Sequence, residues 1–176
     1  MLSPQTESLK EATAWLQSPE WHIDGLVAKK STDIYKPGQR VMQKFKPIRT
    51  ADCVVGGFRY GTNSREVGSL LLGLYDTEGT LHHVGFSSSI PKADRKALTQ
   101  KLEELIQEPG FTGKAPGAPS RWSTKRTAEW EPLRPALVVE VAFDQVSDHC
   151  FRHGTRLLRF RPDKSARQCN MEQLDP

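Results

Sequence analysis

Apolar and polar positions fall into two regimes along this chain. In residues 6–17 Leu9, Ala12, Trp15 and Leu16 recur at helical spacing, and Ser8 with Glu11 fits a capping box, so a helix is predicted that Ser18-Pro19 ends. Residues 21–29 and 40–46 read as two short strands around the loop 31–39. A helix and a two-stranded hairpin are too little for a domain. From Thr50 the pattern changes: DCVVGGFRY, VGSLLLGLYD and TLHHVGF are apolar strands separated by the turn signals GTNS and DTEG. A helix over 91–107 follows, with Leu98, Leu102, Leu105 and Ile106 on one face and Pro109-Gly110 as its stop. After a long loop rich in Gly, Pro and basic residues, ALVVEVAFDQV and CFRHGTRLLRF complete the strands. The fold class expected is mainly β with α (α+β), a five-stranded OB-fold barrel with an inserted helix, a fold that often binds oligonucleotides.

Composition changes this picture little. With 176 residues, 36% hydrophobic and 26% charged, the chain suits a globular protein with one good core. No apolar run approaches a bilayer span and the first residues lack a signal-peptide core, so the expectation is a cytoplasmic protein with no membrane partner. Cys53, Cys150 and Cys169 form no C-x-x-C pair and are expected to be inert thiols. His82 and His83, adjacent on a strand, face opposite ways and make a poor metal pair.

Charge is informative where it is concentrated. Residues 150–169 hold Arg152, Arg156, Arg159, Arg161, Lys164 and Arg167 against Asp163, a local balance of +5 in a chain whose formal charge is +4. A basic segment in a nearly neutral protein points to a phosphate-bearing partner, although solvated strand faces look similar. Near the other end, Lys29 and Lys30 sit on one predicted strand and Lys44 and Lys46 on the other. Lys44 and Lys46 are two apart, so on a strand both would point one way, about 6.6 Å from each other. Their repulsion is roughly 0.6 kcal/mol in water and about 2.5 kcal/mol at an effective dielectric near 20, which an anion would relieve. Solvated lysines guarding a strand edge are the plainer alternative.

Order and spacing sharpen the choice. DGLVAK, then Tyr35-x-Pro37-Gly38-x-Arg40, then Lys44-x-Lys46, then RTADCVVGGFR resembles nucleotidyltransferase motifs IV and V and the domain junction of bacterial ATP-dependent DNA ligases. RFRPDK resembles their motif VI, with Arg161, Asp163 and Lys164 on its R-x-D-K core, and RWSTKRTAEWEPLRP, VVEVAFDQ and FRHGTR extend the likeness. The resemblance implies that residues 1–48 are the C-terminal remnant of the adenylation (nucleotidyltransferase) domain and 49–176 the OB-fold domain. It implies ATP and Mg2+ as cofactors and nicked duplex DNA as partner. Lys44 and Lys46 would contact the α-phosphate, and Asp24, Lys29 and Arg40 would line the same nucleotide pocket. Asp24 would help hold the metal, where the family more often carries Glu. Arg161 and Lys164 would swing over the triphosphate, with Asp163 fixing the arginine and Pro47 to Asp52 as the hinge. Arg121, Lys125, Arg152, Arg156 and Arg159 are the expected DNA contacts, with Phe143 and Phe151 as stacking surfaces.

The family's nucleophilic lysine lies in E-x-K-x-D-G, and no such sequence occurs here. Without it covalent nucleotidyl transfer cannot begin on this chain. Two readings follow: a ligase C-terminal part whose N-terminal piece is supplied elsewhere or lost through a frameshift or a misplaced start, or a non-catalytic OB module that binds nicked or single-stranded DNA. A capping-enzyme or RNA-ligase relative is a third, disfavoured by the RTADCVVGG and RWST stretches.

Overall fold

The computed structural model describes residues 3–18, 23–117 and 129–175, which form two compact units, Met1–Ile48 and Arg49–Pro176. In the first, α1 (Leu9–Gln17) starts where Ser8 Oγ accepts the Glu11 N–H at 3.3 Å. The expected capping box is only half formed, because the Ser8 N–H donates to Thr6 Oγ1 at 3.0 Å and the Glu11 carboxylate accepts from Thr6 Oγ1 at 2.6 Å; the helix starts at Leu9 instead of residue 6. Strands β1 (Leu26–Ala28) and β2 (Gln43–Phe45) pair antiparallel with Val27 opposite Lys44. Both are shorter than expected: Lys29 and Lys30 follow β1 and Lys46 follows β2. Strand alternation therefore fixes the side of Lys44 but not that of Lys46. No described residue of this unit is buried, and Ile34, Tyr35 and Phe45 are exposed.

The second unit is a closed barrel. β3 (Arg49–Tyr60) pairs with β4 (Val67–Tyr75), which pairs with β5 (Leu81–Ser87). β7 (Val138–Phe143) runs along the first half of β3, and β10 (Arg156–Phe160) along β7. A parallel bridge from Ser87 to Thr155 joins β5 to the start of β10 and closes the ring. This is the five-stranded OB order, with α2 (Lys92–Glu103) inserted between the third and fourth barrel strands. The core mixes aliphatic side chains from β3, β4, β5 and β7 with Leu98 and Leu102 of α2, and the half-buried Leu157 and Phe160 of β10 pack against it. Thr99 accepts the Val67 N–H at 2.8 Å and ties the helix to β4.

Bending explains how a twelve-residue strand fits a small barrel. The β3–β4 register slips between Val55 and Gly57, a bulge that increases local twist. At Gly56 any Cβ would meet the Phe111 ring at 2.6 Å, so only glycine fits the close approach.

Several expectations need correction. Arg49–Asp52 belong to β3 and pair with β7, so the proposed hinge Pro47 to Asp52 keeps only Pro47 and Ile48 outside the sheet. α2 ends at Glu103, and Ile106, past its end, is exposed instead of sharing the apolar face. The long loop contains β6 (Glu131–Pro132), which takes over pairing with β3 where β7 stops. The last two predicted strands are interrupted by the hairpin β8 (Val146–Ser147) and β9 (Cys150–Phe151), turned by Asp148 and His149 at φ 51° and 57°.

Candidate functional site

Register alone builds an unusual charge row in the barrel. Asp52 on β3 lies opposite Glu140 on β7, and Glu140 lies opposite Arg159 on β10. Two carboxylates directly opposed across strands destabilise a sheet. The repulsion is offset by the end of β10 and the turn after it. Arg159 Nε donates to Glu140 at 2.6 Å, Arg161 Nη1 donates to Asp52 Oδ1 at 2.9 Å, and Lys164 Nζ donates to Asp52 Oδ2 at 2.6 Å. Arg161 also forks onto Asp163, with Nε 3.0 Å from Oδ1 and Nη2 2.8 Å from Oδ2. Three carboxylates thus face three cations.

Asp52 itself is held from both sides. It is buried, and its backbone N–H donates to Gln173 Oε1 at 2.9 Å while Gln173 Nε2 donates back to its carbonyl at 3.1 Å. Gln173 comes from a short 3-10 helix, Met171–Leu174, which returns the C-terminal segment to the start of β3. Arg49 secures that return by donating to the carbonyls of Gln173 and Asp175. A buried carboxylate is tolerated only when paired, and here the pairing is complete.

Protonation follows the geometry. The hydrogen bond from Arg161 holds the Asp163 carboxyl down to about 2, and the same bond, with the charges of Asp52 and Glu140, pushes the guanidinium above its ordinary range. Burial raises the Cys53 and Cys169 thiols, the latter to about 11, so neither is an activated nucleophile. All three cysteines are free thiols.

The sequence-derived candidates therefore separate. Arg161, Asp163 and Lys164 come together in one network, with Asp52 as a member that sequence reasoning missed. Arg152 donates to Gln145 at 2.8 Å and Arg159 to Glu140, while Arg156 is exposed. Much of the positive charge of 150–169 is thus met by acceptors within the barrel. Arg121, Lys125 and Trp122 lie outside the described residues. Phe143 and Phe151 cannot stack on bases: both are buried, with ring centroids 4.8 Å apart. Trp130 packs on Phe111 with centroids 5.5 Å apart. Asp24, Lys29, Arg40, Lys44 and Lys46 are all exposed on the first unit.

The histidines serve structure. His82 bonds Asp76 at 2.8 Å and accepts the Lys114 N–H, stapling the turn between β4 and β5 to the segment after α2. His83 points inward edge-on to Phe111, and burial pushes it down to about 4. Among the described residues no group of three or more His, Cys, Asp or Glu side chains could hold a metal ion. Asp24 is therefore in no such group among the described residues. No helix of the described residues is long and apolar enough to cross a membrane.

Comparison with known proteins places this architecture. Residues 63–164 match the family described as ATP dependent DNA ligase C terminal region. DNA ligase C2 of Mycolicibacterium smegmatis is 40% identical over 99% of this chain and 54% of its own length. DNA ligase C of Mycobacterium tuberculosis is 36% identical over 99% of this chain and 52% of its own. The crystal structure of the ligase domain from M. tuberculosis LigD superposes with a TM-score of 0.59 at 28% identity, covering 82% of this chain and 46% of that one. The chain spans about half the length of the curated relatives it matches.

Proposed function

We infer the function from a plain premise: the chain belongs to the ATP-dependent DNA ligase family, whose C-terminal region it carries. In such an enzyme it supplies the phosphate-handling half of a nick-sealing reaction, and an N-terminal portion, on the same polypeptide or another, supplies the nucleophilic lysine. That lysine attacks the α-phosphate of ATP and releases pyrophosphate; AMP then passes to the 5′-phosphate at a nick, and the 3′-hydroxyl displaces AMP. Each step moves a phosphoryl group, so positioning and charge neutralisation do most of the work. Lys44 and Lys46, with Lys29 and Arg40, face the nucleotide phosphates, while Arg161 and Lys164 orient the leaving pyrophosphate. Mg2+, if bound, would neutralise phosphate charge, and Asp24 is the residue of this chain that would help hold it.

The observation that carries this reading is the convergence of Arg161 and Lys164 on one carboxylate, 2.9 and 2.6 Å from its two oxygens. Two cations aimed at neighbouring oxygens are arranged as a phosphoryl group requires. The test is a nick-sealing assay with ATP and magnesium, using this chain, an N-terminal ligase piece bearing E-x-K-x-D-G, and both together. Sealing by the mixture well above either piece alone is expected. A mixture no better than the N-terminal piece alone refutes the reading.

A second reading rests on the self-contained core of 49–176: a DNA-binding OB module without catalysis. It requires DNA affinity that falls steeply with salt and weakens on Arg156→Ala, with no stimulation of sealing.

A further inference from the structure

We propose that Asp52 is a positioning residue that occupies the polyphosphate place of Arg161 and Lys164, so that these two cations engage phosphate only by leaving it. The inference rests on the phosphate-handling reading given above and adds to it a built-in competitor.

The parts differ in their freedom to move. Asp52 is fixed within β3, its backbone clamped by both hydrogen bonds of the Gln173 amide. Its two cations stand on the turn that follows β10, where Lys164 N–H donates to the Arg161 carbonyl at 3.2 Å. Arg161 has a second carboxylate, Asp163, which lies on the same turn and is 63% exposed. The guanidinium can therefore release Asp52 and keep Asp163 by side-chain rotation, while the Arg161 backbone N–H stays on the Val138 carbonyl at 2.8 Å. For Lys164 the contact to Asp52 is the one ion pair it makes among the described residues, and its side chain is 24% exposed.

Charge explains why such a competitor belongs there. Departure of Arg161 and Lys164 would leave the buried Asp52 carboxylate unpaired beside Glu140, which Arg159 still holds; with the cations docked, three carboxylates face three cations. Removing both cations therefore has a cost, and only a ligand carrying several negative charges can meet it. A polyphosphate qualifies, whereas the singly charged phosphodiesters of a DNA backbone meet it poorly. The same competition returns Arg161 and Lys164 to Asp52 when pyrophosphate leaves, which assists product release.

The experiment is calorimetric titration of the whole chain with sodium tripolyphosphate at constant ionic strength. Asp52→Asn, nearly isosteric, is expected to bind it roughly tenfold more tightly than wild type, because the charge-assisted contacts to Arg161 and Lys164 no longer compete. Adding Lys164→Ala to Asp52→Asn should abolish the gain. A short unphosphorylated DNA duplex, titrated in parallel, should show little or no gain. Equal or weaker tripolyphosphate binding by Asp52→Asn overturns the competitor role while leaving the phosphate reading intact. No binding by either protein overturns both. A gain for the duplex as large as that for tripolyphosphate contradicts the polyphosphate preference. If Asp52→Asn does not fold, 13C NMR of the wild-type aspartate carboxylates replaces it. The Asp52 signal is expected to shift as tripolyphosphate saturates the protein, and an unmoved signal at saturation overturns the proposal.

Discussion

Residues 3–48 and 49–175 are made from similar amino acids and use them in opposite ways. Every buried apolar side chain among the described residues lies in the barrel, and the hairpin unit leaves Val27, Ile34, Tyr35, Met42 and Phe45 exposed. The barrel satisfies its carboxylates with its own cations, whereas Lys29, Lys30 and Lys44 of the hairpin stand on its surface. Stability and the latch on Arg161 and Lys164 belong to the second region. The first presents chemistry without a core to support it, as expected of one wall of a larger pocket.

The sharpest way to break this contrast is a pair of aromatic truncations. Phe58→Ala, from a fully buried position in β3, should cost the barrel about 3–5 kcal/mol in denaturant unfolding, while Phe45→Ala in β2 should change it by less than about 0.5 kcal/mol. Comparable losses would show that the two regions share one core.

A smaller effect comes from acid. Burial holds His83 down to about 4 against an ordinary value near 6.5, with the charges of Arg59 and Lys114 acting in the same direction. The folded barrel therefore binds fewer protons than the unfolded chain between those values. Its stability is full above pH 6.5 and falls as the pH drops toward 4, by roughly 3 kcal/mol at the limit. His83→Gln should flatten that stretch of the stability curve, and an unchanged slope would contradict the assignment.

Next is the charge row. Asp52→Ala should destabilise the barrel by roughly 2 kcal/mol, since it leaves two partly buried cations beside a vacancy. Asp163→Asn, at an exposed carboxylate, should change stability less than Asp52→Ala does. The smallest effect is expected from removing residues 1–48, which should leave the unfolding midpoint of 49–176 almost unchanged.

The barrel was legible because its strands alternate and its turns are punctuated. GTNS and DTEG both fall between paired strands, and Ser8 caps α1 as its hydroxyl spacing predicts. What escaped was set by partners distant in sequence. Glu131-Pro132 carries no strand pattern and is a strand only because β7 stops at Val138 opposite Val54, leaving the rest of β3 to be paired. Phe143 and Phe151 looked available for stacking until the hairpin at Asp148 and His149 folded one onto the other. Asp52 gave one signal, a carboxylate entering the apolar run DCVV, which calls for a buried counter-charge. That its partners are Arg161 and Lys164, more than a hundred residues later, follows only from the order of β3, β7 and β10.

The proposed division of labour leaves phosphate handling to this chain and the nucleophile to an N-terminal portion. It is tested most directly by incubating the purified chain with α-labelled ATP and magnesium, alone and mixed with a piece bearing E-x-K-x-D-G, and resolving the proteins under denaturing conditions. The account predicts no covalent label on this chain in either tube, and label on the other piece that increases when this chain is added. A labelled band at the mass of this chain, stable to base and labile to acid, would contradict it.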